Sequence, residues 1–143
     1  MSSIIQGFTG LPAFCHVYNT SFYDLPNTAT FTFDSNNILN GFTHTPGSDT
    51  ITSQTDGVFY VTWVISTENG RTMSFLQNGV RFVPLSYIAS PGLNATNYGH
   101  GIITINSGDI FKLRNDSGLD AFLNQLNNFC NVAIVFMQIG NHG

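Results

Sequence analysis

Helical periodicity is almost absent from this chain, whose apolar residues occur instead in short runs rich in β-branched and aromatic side chains. Gly, Pro, Asn and Asp interrupt these runs about every 8–12 residues, a spacing typical of β-sandwiches and β-barrels. The pattern predicts an all-β domain with ten strands, at residues 13–18, 29–33, 49–53, 57–67, 72–77, 80–84, 98–106, 109–114, 121–125 and 131–139. Three intervening stretches are predicted to be loops: residues 20–27, 35–37 and 86–96.

Two of the predicted turns have a backbone explanation. Asn78-Gly79 stands between two apolar runs, and Asn-Gly tolerates the positive φ angles that a two-residue type I′ hairpin requires. Ser107-Gly108 separates two further apolar runs, and the same kind of hairpin is predicted there. No linker, charge run or internal repeat divides the 143 residues, so a single domain is predicted.

Two of the predicted strands are apolar on both faces. A half-buried antiparallel strand normally alternates apolar with polar residues. In the strand at 57–67, one face carries Val58, Tyr60, Thr62 and Val64, and the other carries Phe59, Val61, Trp63 and Ile65. In the strand at 131–139, one face carries Val132, Ile134 and Phe136, and the other carries Ala133, Val135, Met137 and Ile139. One face can fill the domain core, so the second face needs another cover.

The cover that the sequence favours is a second copy of the chain. No amphipathic helical stretch is present, which counts against both a helix packed on the sheet and a parallel sheet with crossover helices. An exposed apolar patch of this size usually marks an interface. The predicted interface residues are Phe14, His16, Tyr18, Tyr60, Thr62, Val132, Ile134 and Phe136. The pattern leaves open the opposite choice of faces, with Phe59, Trp63, Val135 and Met137 outward.

Composition narrows the class of partner. Only 8% of the residues are charged, against about 25% in an average soluble domain, so Ser, Thr, Asn, Gln and Gly must supply the polar surface. With four cationic side chains in the whole chain and a net charge of −4, binding to nucleic acid or to anionic lipid is not expected. No apolar run is long enough to span a membrane, and residues 1–7 lack the basic and apolar regions of a secretory signal.

The two cysteines, Cys15 and Cys130, do not form a metal-binding motif. They lie 115 positions apart without CxxC spacing and without a nearby His/Cys cluster. The first expectation is a pair of buried thiols. The alternative is a disulfide that joins the first and last strands.

Candidate chemistry is sparse. His16 follows Cys15, but adjacent residues of a strand point to opposite faces, so a Cys–His nucleophile is not expected. His100, between two glycines, is a candidate for a position near an oligomer axis. Asp116 and Asp120, with Asn115 beside them, are the candidate calcium ligands. No paired-carboxylate, GxSxG, HExxH or P-loop pattern occurs, so neither an enzyme nor a resident cofactor is predicted.

Five segments carry a resemblance to a known superfamily. In chain order they are Gly10-Leu11-Pro12-Ala13, Thr55-Asp56-Gly57-Val58-Phe59-Tyr60-Val61, Leu76-Gln77-Asn78-Gly79-Val80 with Val83-Pro84, the run from Ile103 to Asn115, and Asn131-Val132-Ala133-Ile134-Val135-Phe136-Met137. Together they resemble the TNF-like jelly rolls, which include the globular heads of the first complement component. The chain is most similar to the C-terminal head of bacterial collagen-like spore-surface (exosporium) glycoproteins.

The resemblance implies a ten-stranded antiparallel jelly roll with adjacent N- and C-terminal strands, assembled as a tight homotrimer. In that family the head registers a collagen-like stalk, and Gly7-Phe8-Thr9-Gly10-Leu11-Pro12 reads as two G-x-y triplets. Residues 1–12 are therefore predicted to be a lead-in from such a stalk, and residues 13–143 the head.

The predicted function is that of a non-enzymatic trimerisation and adhesion head on a spore or cell surface. The alternative is a carbohydrate- or receptor-binding tip, such as that of a phage fibre, with loop tyrosines Tyr23, Tyr87 and Tyr98 as candidate contacts.

Overall fold

The computed structural model describes residues 11–88 and 93–141, and these form an all-β domain. Four of the six residues of the predicted stalk triplets, 7–10, fall outside the described residues. The strands are β1 (Phe14–Asn19), β2 (Asp24–Leu25), β3 (Ser35–Asn40), β4 (Phe42–Thr43), β5 (Ile51–Ser53), β6 (Gly57–Asn69), β7 (Met73–Gln77), β8 (Val80–Arg81), β9 (Leu93–Ile105), β10 (Ile110–Asn115), β11 (Ala121–Phe122) and β12 (Val132–Gly140). A short 3-10 helix, Val83–Leu85, follows β8.

The strands form two five-stranded sheets. Sheet I has the order β3-β1-β12-β6-β9 and sheet II the order β4-β5-β10-β7-β8, while β2 and β11 make a separate two-stranded sheet. All pairings between these strands are antiparallel. The first and last long strands, β1 and β12, are neighbours in sheet I, which confirms the predicted jelly-roll arrangement.

The core lies between the two sheets and is rich in aromatic side chains. The ring of Phe136 on β12 lies 4.9 Å from that of Phe42 and 5.1 Å from that of Phe111, measured between centroids. Trp63, Phe59 and Phe136 are almost completely buried. Burial of each such side chain contributes about 1.5–3 kcal/mol, which explains how a chain with two free cysteines and few charges folds around one core.

Several secondary-structure predictions differ from the structure. The predicted loops at 20–27 and 86–96 contain strand β2 and the start of strand β9. Three other differences concern residues 29–33, 35–37 and 80–84. Residues 29–33 bury Phe31 and Phe33 but pair only through a single bridge between Thr30 and Arg114. The polar stretch predicted to be a loop at 35–37 begins strand β3, because its backbone pairs with β1. The strand predicted at 80–84 ends at Arg81 and passes into the 3-10 helix, where Pro84 has no amide hydrogen to donate to a ladder.

The two predicted glycine turns have different conformations. Asn78 and Gly79 have φ angles of 54° and 81°, as a type I′ hairpin requires. At the second turn only Gly108 has a positive φ, of 93°, so this turn is not type I′.

The pairing of β1 with β12 shows which loops lie at each end of the sandwich. Phe14, near the chain start, pairs with Met137 near the end of β12. At the opposite end, Asn19 pairs with Val132, and the backbone amide of Asn131 donates to the carbonyl of Asn19. The loops that follow β1 and precede β12 therefore lie at the end distal to the N-terminal entry of the chain.

Candidate functional site

One face of sheet I points away from the core, and its composition makes it the candidate functional site. Residues paired across antiparallel strands lie on the same face, so the register defines three rows across β1, β12, β6 and β9. The first row is Phe14, Met137, Tyr60 and Ile102; the second is His16, Val135, Thr62 and His100; the third is Tyr18, Ala133, Val64 and Tyr98. We refer to these twelve residues as the open face.

The open face is mostly apolar, and its polar members are His16, Thr62 and His100 in the middle row. None of its residues is Asp, Glu, Lys or Arg. Its largest apolar side chains are well exposed: Met137 by 52%, Ile102 by 59% and Tyr98 by 63%. A shallow hollow of about 200 Å³ runs between Val64, Tyr98, Ala133 and Val135. The surface therefore offers both apolar area and a recess for a side chain of a partner.

Glycines set the shape of β9 beneath this face. A Cβ atom at Gly99 would lie 2.6 Å from the indole ring of Trp63, and one at Gly101 would lie 3.2 Å from the side chain of Leu85. The Trp63 indole N–H donates to the carbonyl of Leu85 at 2.9 Å, which fixes the ring under the strand. His100, between the two glycines, therefore points outward onto the open face.

The structure corrects part of the predicted interface. Val132, Ile134 and Phe136 pair with Ile65, Trp63 and Val61, and all six side chains are buried in the core. A second copy cannot reach them, so their assignment to the interface is wrong. The opposite choice of faces, which the sequence left open, is correct for β12, because Val135 and Met137 face outward. It is wrong for β6, because Phe59 and Trp63 face inward.

The other five predicted interface residues share the open face: Phe14, His16, Tyr18, Tyr60 and Thr62. Their contact with another copy stays a prediction. On β9, sequence reasoning singled out His100 but did not identify Tyr98 and Ile102 as members of the same face. The sequence does contain a signal for this. In residues 98–101 a large residue alternates with glycine, which puts the large side chains on one face of the strand. Ile102 then continues the same face.

Cys15 and Cys130 are both free, so the disulfide alternative is wrong. Cys15 is buried on β1, and burial raises the pKa of its thiol to about 12. Cys130 is exposed and adjoins Asn131, which bonds to Asn19, four residues further along β1. At about 3.3 Å per residue this places the cysteines about 13 Å apart along the sheet, whereas a disulfide needs Cα atoms within about 7 Å. The expectation of buried thiols holds for Cys15 alone.

The candidate calcium ligands are engaged in other contacts. The Asp116 carboxylate accepts from Arg114 Nε at 2.7 Å and from Arg81 at 3.0 Å, and it also accepts from the Ser74 hydroxyl. Burial raises the pKa of Asp116, but the hydrogen bonds from Arg114, Ser74 and Arg81 outweigh it and leave the pKa below its usual value. Asp120 uses its backbone carbonyl to bind Arg71.

Two guanidinium groups already bind the Asp116 carboxylate, which counts against a calcium site at these candidate ligands. Within residues 11–88 and 93–141, no three His, Cys, Asp or Glu side chains are grouped in a way that suits a metal ion.

The three candidate tyrosines do not converge on one loop site. The Tyr23 hydroxyl is held by the backbone of Thr32, with both its donor and acceptor bonds at 2.9 Å. Tyr87 packs edge-on against Trp63, and Tyr98 belongs to the open face.

In the part of the chain that the structure describes, no helix is long and apolar enough to cross a lipid bilayer.

No family model matches this chain, and no curated protein matches it in sequence. Solved structures do match its fold. The globular domain of zebrafish complement 1qA is 14% identical with a TM-score of 0.67, over 91% of this chain and 99% of that domain. The Eiger TNF of S. frugiperda is 13% identical with a TM-score of 0.67, over 93% and 96%. Murine APRIL is 13% identical with a TM-score of 0.60, over 90% and 100%. The fold is therefore a TNF/C1q-like jelly roll.

Proposed function

We propose that this chain is the homotrimeric, non-enzymatic head of a bacterial collagen-like surface protein, in which it serves trimerisation and adhesion. The open face is the observation that carries the proposal. This surface has twelve residues, and none of them is Asp, Glu, Lys or Arg. In a chain with few charged residues, the polar surface elsewhere is supplied mainly by Ser, Thr, Asn and Gln.

The energetics of the open face favour a protein partner over water. Aromatic residues and Met are enriched at interface cores and charged residues are depleted there, which is the composition of this surface. Full burial of a side chain such as Met137 or Ile102 is worth about 1.5–3 kcal/mol. Because no charged side chain lies on the face, a covering copy meets no cost of desolvating an ion there.

A second copy is the proposed cover because the resemblance to TNF-like heads implies a trimer. Sheet I also presents a continuous face, with the long strands β6 and β9 pairing over most of their thirteen residues each. Contact along such a rigid face does not require the partner to reorganise.

The stalk and the location follow from the same resemblance. The G-x-y triplets at 7–12 immediately precede β1, so a collagen-like stalk would enter at the end of the sandwich where β1 begins. The loops at the distal end would then face away from the stalk. We place the protein on a spore or cell surface on this basis.

The mass of the native protein in solution tests the trimer. We expect light scattering at micromolar concentration to give three times the 15.6 kDa of one chain. Thr62→Lys puts a charge in the middle row of the open face and should give the mass of one chain. Thr52→Lys is the matched control, since Thr52 is an equally half-buried threonine on the solvent side of sheet II. A monomeric wild-type protein, or loss of the trimer in both variants, would contradict the proposal.

A carbohydrate- or receptor-binding tip is the second candidate. It is favoured by apolar side chains in the distal loops, where Phe22 is 48% exposed, Leu126 65% and Phe129 63%. A glycan array would test it, with Phe129→Ala expected to lose a signal that Leu11→Ala, at the opposite end, retains. An empty array, or a signal that Phe129→Ala leaves unchanged, counts against the tip.

A further inference from the structure

A hollow of about 550 Å³ lies at the margin of the open face, next to the distal loops. Its lining residues are His16, Tyr18, Thr20, Asn37, Asn128 and Cys130. They come from β1 and the residue after it, from the edge strand β3, and from the loop before β12. The volume is within the range of about 300–1,000 Å³ that is usual for small-molecule sites.

Two aromatic rings form one wall of this hollow. The rings of His16 and Tyr18 have centroids 5.8 Å apart and are tilted by 46°. Both side chains are only half-buried, so ring surface remains open to a ligand. Aromatic rings of this kind present an apolar body beside a polar tip, which suits a ligand that has one apolar face and a polar rim.

A pair of unused polar atoms stands beside the rings. Asn37 Nδ2 lies 3.0 Å from His16 Nδ1, and with the amide donating, the ring carries its proton on Nε2. Among the described residues, neither His16 Nε2 nor Asn37 Oδ1 has a hydrogen-bond partner in the protein. The hollow therefore offers one further donor and one further acceptor to the hydroxyl groups of a ligand.

Hydrogen bonds outside the hollow hold its rim in place. The Asp34 carboxylate accepts from the Thr20 hydroxyl at 2.8 Å and from the Ser21 hydroxyl at 2.6 Å. At the base, the Asn19 amide donates to Asn131 Oδ1 at 2.9 Å, and Asn131 Nδ2 donates to the carbonyl of Ser21 at 2.9 Å. These bonds tie the end of β1 to the start of β12, so the rim is preorganised before any ligand binds.

We propose that this hollow binds a neutral sugar ring, with the C–H face of a pyranose against Tyr18 and His16 and its hydroxyls on Asn37, Asn128 and Thr20. The absence of any charged residue from the lining selects a neutral ligand over an acidic or basic one. The proposal goes beyond trimerisation and deepens the second candidate function, on which it rests. A single chain supplies every lining residue, but His16 and Tyr18 also belong to the open face, so a copy that covers that face competes with the sugar for these two rings.

Saturation-transfer NMR on the full chain with methyl glycosides of glucose, mannose, galactose and N-acetylglucosamine tests the proposal. We expect millimolar binding of at least one of them, with perturbed ¹⁵N signals for the Asn37 and Asn128 side-chain amides. Methyl glucuronide should bind more weakly than the matching neutral glucoside. Tyr18→Ala and Asn37→Ala should each weaken binding by about tenfold, the loss expected for a removed ring or hydrogen bond.

Tyr98→Ala is the matched control, since Tyr98 lies in the same row as Tyr18 at the other side of the open face. It should retain sugar binding, and the monomeric Thr62→Lys variant should bind at least as tightly as the wild type, because no copy covers its His16 and Tyr18. The proposal is overturned if none of the neutral glycosides binds the Thr62→Lys variant, or if binding survives both Tyr18→Ala and Asn37→Ala. If either of these results came with a glycan-array signal that depends on Phe129, the binding-tip function would stand and only the sugar site in this hollow would be ruled out. The mass of the wild-type trimer is a separate measurement, which neither result changes.

Discussion

Gly99 is the residue at which the backbone of β9 comes closest to the core. Its missing Cβ leaves room for the indole ring of Trp63 and for Tyr87, each of which would lie 2.6 Å from a Cβ atom there. Real Cβ contacts are not this short, so any side chain at position 99 must displace a buried ring. Glycine has a low strand propensity, but at this position it allows the only tryptophan of the chain to pack against the backbone of β9.

We expect Gly99→Ala to lower the free energy of unfolding by about 1–3 kcal/mol, as overpacking of a core usually does. Gly140→Ala is the matched control, because the nearest atom to a Cβ there is 3.9 Å away, on Val58. Urea unfolding followed by tryptophan fluorescence measures both variants. Equal stabilities for the two would show that β9 can move away from Trp63 at little cost.

Four aspartates have a lowered pKa because they accept several hydrogen bonds: Asp34, Asp49, Asp109 and Asp116. In each, burial raises the pKa, but the hydrogen bonds have the larger combined effect. A pKa that is lower in the folded than in the unfolded chain means that the ionised group stabilises the fold above its unfolded pKa of about 3.9. That contribution is lost as the pH falls through the folded pKa.

We therefore expect the free energy of unfolding to fall when the pH is lowered from about 5 to about 2. Asp116→Asn should be less stable at neutral pH and should show a shallower fall, because its salt bridges to Arg81 and Arg114 no longer titrate. Asp24→Asn is the control, since that carboxylate has no hydrogen bond or ion pair among the described residues. The explanation fails if Asp116→Asn keeps the wild-type pH dependence.

Strand β12 shows how far a hydrophobic pattern can predict an element. Its position was predictable from the long apolar run near the chain end, and its pairing with β1 was implied by the resemblance to TNF-like heads. Its orientation was not, since Val132, Ile134 and Phe136 are as apolar as Ala133, Val135 and Met137. The register decides: Phe136 lies opposite Val61, which points inward, and Met137 lies opposite Tyr60, which points outward.

Other elements were predicted less well for related reasons. β3 is rich in Asn and carries no clear alternation, so its pairing with β1 follows from tertiary contact rather than from propensity. The distance between Cys15 and Cys130 also depends on register, which the sequence spacing does not contain. The hollow of His16, Tyr18 and Asn37 combines three segments of the chain, and no local motif marks it.

The two faces of β12 make opposite predictions for mutation. Phe136→Ala should lower the free energy of unfolding by about 3–5 kcal/mol, because it leaves a cavity among Phe42, Phe75 and Phe111. Met137→Ala should leave the fold of a single chain nearly as stable and weaken only assembly. Measuring both in the monomeric Thr62→Lys background removes the contribution of assembly to unfolding. A large loss for Met137→Ala in that background would place its side chain in the chain's own core.

At the scale of the whole molecule, the chain has few charged residues, and none of its Asp, Glu, Lys or Arg residues lies on the open face. The fold is similar to those of complement 1qA and Eiger TNF at 14% and 13% identity, so it does not depend on most of the particular side chains. The outward residues of sheet I do not fill the core, and on the open face most of them are apolar. Nothing on that face repels a second copy, whereas sheet II carries Lys112 and Arg114 on β10.

Assembly through the open face makes thermal stability depend on protein concentration. When copies bind only in the folded state, mass action stabilises the fold more at higher concentration. We expect the Tm of the wild-type protein, measured by circular dichroism, to rise with each tenfold increase in concentration. Thr62→Lys should show a lower Tm that does not change with concentration, because a buried lysine without a carboxylate partner prevents the copies from closing on each other.

Thr52→Lys supplies the comparison that separates assembly from the fold. It adds the same charge to sheet II and should keep the concentration dependence of the wild-type Tm. A wild-type Tm that is independent of concentration across a range where scattering shows trimers to dissociate would mean that the open face contributes no free energy to assembly. The apolar surface of β12, β6 and β9 would then have to serve a partner other than a copy of this chain.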